Sequence, residues 1–197
     1  MRRNAIILVT LMVISTQLVP ARTPPWLMAT RAAVDSLRTD ATSQELFASF
    51  VVNGAFDDDA RERLAAGLPL EFVHVIEVAR RRTMWFDKML LRKTITTTVT
   101  FDTLTRQYSL SKKVNDEVAE TSVAMHEAEV EKWMTCFERV RLGDLSRIDR
   151  PRDGTLYVRV RSMLQKRFVL FFVPWDVETG WEKVTLRLPD EATTRAR

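Results

Sequence analysis

Catalytic constellations are weak in this sequence, which has only two histidines among 197 residues. His74 stands between Val73 and Val75, a setting that favours a hydrogen-bonded core histidine over a catalytic base. No Gly-x-Ser-x-Gly, His-Glu-x-x-His or Cys-x-x-Cys motif is present, so no recognised enzyme motif identifies a site. We therefore predict no catalytic residue. A hydrolase of unknown type stays open as an alternative, because carboxylates far apart in sequence can meet in space.

Metal and cofactor sites are also weakly supported. Three aspartates, Asp57 to Asp59, lack the spacing of a calcium loop and are better placed to cap a short helix that ends at Gly67. His126 and Glu129 are three residues apart, but a di-metal site needs matching carboxylates from further helices. The five glycines form no phosphate-binding loop. We predict neither a metal nor a cofactor.

Cys136 is the only cysteine, so the chain has no internal disulfide. It falls in a segment that we interpret as an apolar helix face, which predicts a buried and unreactive thiol. A reactive thiol would need an exposed, basic setting.

One unusual surface feature is an apolar tip on a predicted hairpin around Asp87–Lys88. A solvated turn is normally polar, whereas aromatic and methionine side chains ahead of arginines are typical of a partner-binding or membrane-interfacial tip. The alternative is that this tip folds over one end of the domain, or that a helix covers it. The predicted binding residues, here called the hairpin tip, are Met84, Trp85, Phe86, Met89 and Leu90. The basic collar behind them is Arg80, Arg81, Arg82, Arg92 and Lys93.

The elements that would position this tip are antiparallel strands. The clearest strand has Leu91, Ile95 and Val99 on one side and threonines on the other, which is the alternation of a half-buried strand. The strand before it runs from Leu70 to Phe86, and its length predicts a bulge near Arg80 to Arg82.

Further alternation predicts a first strand over 34–39, a strand over 46–53, an inward-facing segment over 104–110 and two late strands over 156–160 and 184–188. A continuous apolar run over 168–175 predicts a central buried strand. Residues 112–120 are interpreted as a loop, and apolar residues spaced three and four apart predict one long helix over 122–141, closed by Gly143. The predicted fold class is mainly β: an antiparallel β-sandwich with one short and one long helical insertion.

The N-terminal segment has the pattern of a secretory signal peptide, with Arg2 and Arg3 before an apolar run and small residues up to Ala21. Retention as a membrane anchor is the alternative. We predict a signal peptide over 1–21, an N-terminal extension over 22–43, a single domain over 44–189 and a polar tail over 190–197. The expected location is periplasmic or otherwise exported. Without the two signal arginines the chain has 28 basic and 26 acidic residues, so nucleic acid is not an expected partner. The expected partner is an envelope protein or a membrane surface.

Several short runs resemble an uncharacterised family of exported bacterial proteins known as domain of unknown function 4390. The runs are FVVNGAF, AAGLPLEFVHVIEV, ARRRTMWFDK, TVTFDTLTRQYSL and LFFVPWDVETGW. The resemblance covers about residues 34 to 188 and implies an exported, β-rich single domain. It carries over no catalytic residue. The resemblance also implies a possible role in envelope signalling, since some members are encoded beside a membrane sensor kinase.

Overall fold

The structure is a computed structural model that describes residues 32–42, 44–82, 86–145, 148, 155–169 and 173–186, with only the backbone for 165–169 and 173–177. The predictions made for the signal peptide, for Met84 and Trp85 and for the tail lie outside the described residues. No helix within the described ranges is long and apolar enough to span a membrane.

Ten strands and two helices follow one another along the described chain. The first half contains β1 (Ala33–Ala41), β2 (Glu45–Asn53), α1 (Asp58–Ala65), β3 (Leu70–Arg80), β4 (Lys88–Asp102) and β5 (Gln107–Val114). The second half contains β6 (Glu117–Ala124), α2 (Glu127–Thr135), β7 (Cys136–Asp144), β8 (Leu156–Val169), β9 (Val173–Glu178) and β10 (Glu182–Thr185). The predicted class, mainly β with antiparallel sheets and two helices, is confirmed.

The strands form two antiparallel sheets. The small sheet has the order β1-β2-β7, and the large sheet has the order β10-β8-β3-β4-β5-β6. Strand β9 pairs with the second half of β8, beyond the stretch that β10 occupies. Because β1 pairs with β2 along its length, the small sheet begins inside the segment predicted as an N-terminal extension.

The two sheets face each other across one hydrophobic core. Phe50 of β2 stacks on Phe137 of β7 with ring centroids 4.7 Å apart. His74 of β3 lies 4.5 Å from the Phe137 ring and brings the large sheet into the same cluster. All three side chains are buried, and burying aromatic rings of this size contributes much of the stabilisation of a small domain.

Strand β4 has the predicted faces: Ile95 and Val99 are buried, and the threonines at the even positions 94–100 are more exposed. Thr97, between Ile95 and Val99, is buried on the apolar face. The preceding strand is shorter than predicted and ends at Arg80. The register shifts between Val78 and Ala79, where Leu90 of β4 is the extra residue, so the bulge predicted near Arg80 to Arg82 lies in the partner strand instead. The pairing of Arg80 with Lys88 leaves a connection over 81–87, so the predicted two-residue turn at Asp87–Lys88 is wrong.

Helix α1 begins and ends as the sequence predicts. The Asp57 carboxylate accepts a hydrogen bond from the Ala60 amide at 2.9 Å, which satisfies a free N–H of the first helical turn. Leu64 is buried. Gly67 has φ +76°, a left-handed conformation that glycine adopts without the steric cost of a Cβ.

The predicted long helix over 122–141 is wrong. The chain there forms the end of β6, the nine-residue helix α2 and the start of β7. Gly143 is a strand residue paired with Leu46 rather than a helix stop. A Cβ at Gly143 would lie 2.5 Å from Cδ1 of Leu91, so glycine permits the close approach of β7 to β4.

Three further sequence predictions are corrected. The segment 112–120, interpreted as a loop, is the β5–β6 hairpin, whose turn residues Asn115 and Asp116 both have positive φ. Leu104 is 92% exposed in a turn instead of facing inward. The apolar run over 168–175 is divided between β8 and β9, which pair with each other at Phe168 and Pro174.

Candidate functional site

The connection between β3 and β4 carries the exposed part of the hairpin tip. Phe86 is 96% exposed and Met89, at the start of β4, is 51% exposed. Leu90 is half-buried and packs against the hydrophobic core. Met84 and Trp85 lie outside the described residues. A fully exposed phenylalanine three residues before an exposed methionine is an apolar surface that the described part of the chain does not cover.

Two hydrogen bonds tie the ends of this connection to the start of β8, and a third joins the two ends to each other. The Tyr157 hydroxyl of β8 donates to Oδ2 of Asp87 at 2.6 Å, and the Arg82 amide donates to Oδ1 of the same carboxylate at 3.4 Å. The Arg81 amide donates to the Thr155 carbonyl at 2.9 Å. These contacts fix the backbone on either side of the tip, so Phe86 extends from an anchored loop.

The hydrogen bond between these two side chains also affects their ionisation. The pKa of Asp87 lies below its usual value, chiefly because the carboxylate accepts the Tyr157 hydrogen bond. The pKa of Tyr157 is raised, first by burial and then by the Asp87 carboxylate. Both shifts favour the pair in which Asp87 is ionised and Tyr157 is protonated, which is the pair that makes this hydrogen bond.

The five residues of the predicted basic collar do not form one continuous patch. Arg81 and Arg82 are exposed beside Phe86, and Arg80 is half-buried. Arg92 lies on the outer face of β4, with Nε 3.9 Å from Oε1 of Glu77. Lys93 points to the opposite face and donates from Nζ to the Arg141 carbonyl of β7, where burial lowers its pKa. The structure therefore groups Arg81 and Arg82 with the exposed tip and directs Lys93 away from it.

Sequence reasoning missed a charged cluster on the outer face of the large sheet. The nearly buried Glu77 of β3 accepts hydrogen bonds from Arg159 of β8, with Nε at 2.7 Å and Nη2 at 2.6 Å from Oε2. The guanidinium groups of Arg159 and Arg161 lie 4.4 and 4.8 Å from the ring centroid of Trp181. The alternation of Arg159 and Arg161 with valines was the available signal, but nothing local indicates their partners.

His74 is a core residue, as its sequence setting predicts. Its Nδ1 is 2.8 Å from Oγ of Ser162 on β8, and both residues are fully buried. Burial lowers the pKa of His74 from 6.5 to about 3, against a smaller opposite effect of the Met134 carbonyl. Nε2 is buried without a hydrogen bond of standard geometry. The imidazole is thus neutral and sealed from solvent, so this serine–histidine contact cannot meet a substrate.

A groove of about 410 Å³ opens between α2 and the inner side of β5. Trp133 lies across it, with its Nε1 donating to Glu120 at 2.9 Å and Lys112 Nζ 4.5 Å from its ring centroid. Cys136 lines the groove and is half-buried, so the prediction of a buried thiol on a helix face is wrong: the residue begins β7. The groove residues are Lys112, Glu129, Lys132, Trp133, Cys136 and Glu138.

Metal-binding geometry is absent from the part of the chain that the structure describes, where no three His, Cys, Asp or Glu side chains converge. Glu127 and Glu131 of α2 are engaged by Arg61 of α1, at 2.7 and 3.1 Å. Asp57 caps α1. Asp57, Glu127 and Glu131 are thus explained by helix capping and ion pairing.

Comparison with known proteins identifies one family. The family model described as "Domain of unknown function (DUF4390)" matches residues 29–185, which is most of the chain. No curated protein matches. No solved structure matches.

Proposed function

The chain belongs to the DUF4390 family, and we propose that it is a non-catalytic binding module that engages a protein partner through the hairpin tip. The observation that carries the proposal is the near-complete exposure of Phe86 on a loop whose two ends are hydrogen-bonded to the sheet. An anchored apolar side chain loses little conformational freedom on binding, which favours its use as a contact residue. In the envelope, such binding would suit a role in signalling.

The chemistry of the core supports the non-catalytic part of this proposal. His74 and Ser162 form a hydrogen bond that would suit a hydrolase, but burial seals both residues and keeps the imidazole neutral. A hydrolase, the alternative from sequence, would need a different nucleophile. Activity-based labelling with a fluorophosphonate probe tests that alternative, and covalent labelling of Ser162 would overturn the non-catalytic proposal.

The partner-binding proposal is tested by photo-crosslinking in the intact envelope. A photoreactive phenylalanine analogue replaces Phe86 in one variant and Leu104 in a matched control. Leu104 is as exposed as Phe86 but lies beyond the other end of β4, a 15-residue strand that is about 46 Å long. We expect discrete crosslinked proteins from position 86 and none from position 104. Equal crosslinking at both positions, or none at position 86, contradicts the proposal.

A membrane surface is the second candidate, favoured by the two exposed arginines beside Phe86. Arg81 and Arg82 would approach anionic headgroups while Phe86 and Met89 insert below them. Flotation with vesicles of phosphatidylglycerol and phosphatidylethanolamine separates the candidates. Binding that disappears in Phe86→Ser and weakens in roughly 0.5 M salt indicates a lipid surface. Absence of flotation, together with crosslinks at position 86, indicates a protein.

We also propose export, with residues 1–21 removed as a signal peptide. The basic start, apolar run and small residues near Ala21 support it. N-terminal sequencing of the protein recovered from the periplasmic fraction tests cleavage. A mature terminus at Arg22 is expected, and an intact Met1 in the membrane fraction would instead indicate a retained anchor.

A further inference from the structure

Strand β6 is an exposed edge of the large sheet. Over the described residues it pairs with β5 on one side and with no strand on the other. A strand in this position presents a row of main-chain N–H and C=O groups that only another extended segment can satisfy in a ladder. Residues Glu117–Ala124 are called the β6 edge.

The side chains of the β6 edge are exposed except those of Ser122, which is half-buried, and Ala124, which is buried. The outer face is apolar at two positions. Val118 is 63% and Val123 is 59% exposed, and Met125 directly follows the strand with 59% exposure. Pairing of Val118 with Lys113 and of Glu120 with Lys112 leaves Ala119 as an extra residue, so a bulge interrupts the first half. From Glu120 to Ala124 the register is regular.

The segment that contains the β6 edge is acidic, although the neighbouring strand β5 carries Lys112 and Lys113. The sequence from Asn115 to Glu131 contains six acidic residues and no lysine or arginine, although the chain as a whole is basic. Three of the six are ion-paired in the described structure: Glu120 with Lys112, and both Glu127 and Glu131 with Arg61. The exposed Glu117, at the start of the β6 edge, has no such partner within the described ranges.

This charge pattern distinguishes between two occupants of the edge. A second copy of the chain, paired antiparallel along β6, would bring Glu117 and Glu120 of both copies into one interface, where like charges repel. A strand with lysine or arginine between apolar residues would instead place opposite charges beside the glutamates and apolar side chains beside Val118 and Val123.

We propose that the β6 edge binds an extended basic segment of a partner protein by strand addition, with the ladder along Glu120–Ala124. This surface is separate from the hairpin tip, because β6 is an edge strand of the large sheet, whereas the tip lies on the connection between two interior strands, β3 and β4. The bulge at Ala119 protects the first half of the edge from uncontrolled pairing and leaves the second half available.

The test uses a fluorescent seven-residue peptide of alternating lysine and valine, titrated into the ¹⁵N-labelled domain. We expect saturable binding with the largest amide shift changes at Glu120–Ala124. A peptide N-methylated at alternate residues keeps the charge but loses main-chain donors, and should bind at least about tenfold more weakly. An alternating glutamate and valine peptide should not bind.

Charge reversal on the protein completes the test. Glu117→Lys should reduce the affinity for the lysine and valine peptide several-fold. Glu182→Lys, on β10 at the opposite edge of the same sheet, should not change this affinity. The Phe86→Ser variant should bind the lysine and valine peptide as tightly as the unmodified protein, which separates the β6 edge from the hairpin tip. Equal binding of the N-methylated peptide, shift changes away from β6, or a concentration-dependent dimer through β6 in sedimentation would each overturn the proposal.

Discussion

The Tyr157 hydroxyl donates to the Asp87 carboxylate at 2.6 Å and joins two residues that are 70 positions apart in sequence. One belongs to the loop that carries the hairpin tip, and the other belongs to β8 in the middle of the large sheet. The exposed Phe86 is adjacent to this contact. This hydrogen bond is one of the anchors that position the apolar surface, and a single substitution can remove it.

Tyr157→Phe removes this hydrogen bond and keeps the ring. We expect the loop over 81–87 to open more often, because one of its anchors is gone, while the sheet beneath it stays folded. Hydrogen exchange measured by mass spectrometry should show several-fold faster exchange confined to this loop. Tyr108→Phe is the matched control, since Tyr108 is the other tyrosine of the chain and lies on β5.

The same contact should respond to acid. The hydrogen bond to Tyr157 lowers the pKa of Asp87 in the folded protein, so the ionised form is the one that favours the closed loop. Its stabilisation is present above the unfolded-state pKa of about 3.9 and is lost as the pH falls through the lower folded value. After correction for the intrinsic pH dependence of amide exchange, loop opening that increases only in this acid range, and increases less in Tyr157→Phe, is the expected result.

His74 predicts a second and broader pH dependence. Its pKa is about 3 in the folded protein against an ordinary value of 6.5, so the unfolded chain binds an extra proton between these values. Stability is therefore highest above pH 6.5 and falls as the pH is lowered toward 3, by at most about 1.4 kcal/mol per pH unit. Urea unfolding at pH 7.5, 6 and 5 measures the slope.

His74→Gln should reduce that slope and His126→Gln should not, because His126 is exposed. If His74→Gln fails to fold, the ring resonances of the unmodified protein give the same information. A His74 resonance that titrates near pH 6.5 in the native state would contradict the prediction.

Strand β4 could be predicted because one of its faces is buried and the other is not, so its side chains alternate. The segment from Glu117 to Asp144 could not be predicted from the sequence in the same way. Strand β6 is an edge strand with both faces largely exposed, so burial imposes no two-residue alternation on it. Apolar residues from β6, α2 and β7 happen to follow one another three and four positions apart, which is the spacing of a single long helix. The Glu77–Arg159 contact joins residues 82 positions apart, and no local pattern encodes such a pair.

Arg61 links the two helices and supports a third prediction. Its guanidinium contacts Glu127 and Glu131 and lies 5.3 Å from the ring centroid of Phe56. All three charged side chains are partly exposed, so water screens the pairs. We expect Arg61→Ala to reduce the free energy of unfolding by about 1 kcal/mol or less, with a smaller effect at high salt.

Chemical denaturation in low and high salt measures that effect. Arg38→Ala is the control, since Arg38 is exposed on β1 and should change stability little. A loss that is independent of salt would show that Arg61 acts through packing on Phe56 rather than through its ion pairs.

The Glu77–Arg159 pair leads to the fourth prediction, an asymmetry between its two halves. The Glu77 side chain is 6% exposed, whereas that of Arg159 is 28% exposed. Arg159→Leu leaves a buried carboxylate with only the more distant Arg92, and should cost about 2 to 3 kcal/mol. Glu77→Leu leaves an arginine that water can reach, and should reduce the free energy of unfolding by less than Arg159→Leu does.

A double-mutant cycle read by urea unfolding tests this asymmetry. The double variant Glu77→Leu/Arg159→Leu should be more stable than Arg159→Leu alone, because removing the buried carboxylate relieves the unpaired charge. Arg161→Leu is the control: Arg161 also stacks on Trp181, at 4.8 Å from the ring centroid, but pairs with Glu178 instead of Glu77. If Arg161→Leu and Arg159→Leu reduce the free energy of unfolding by the same amount, the stacking on Trp181 contributes more to stability than the buried ion pair.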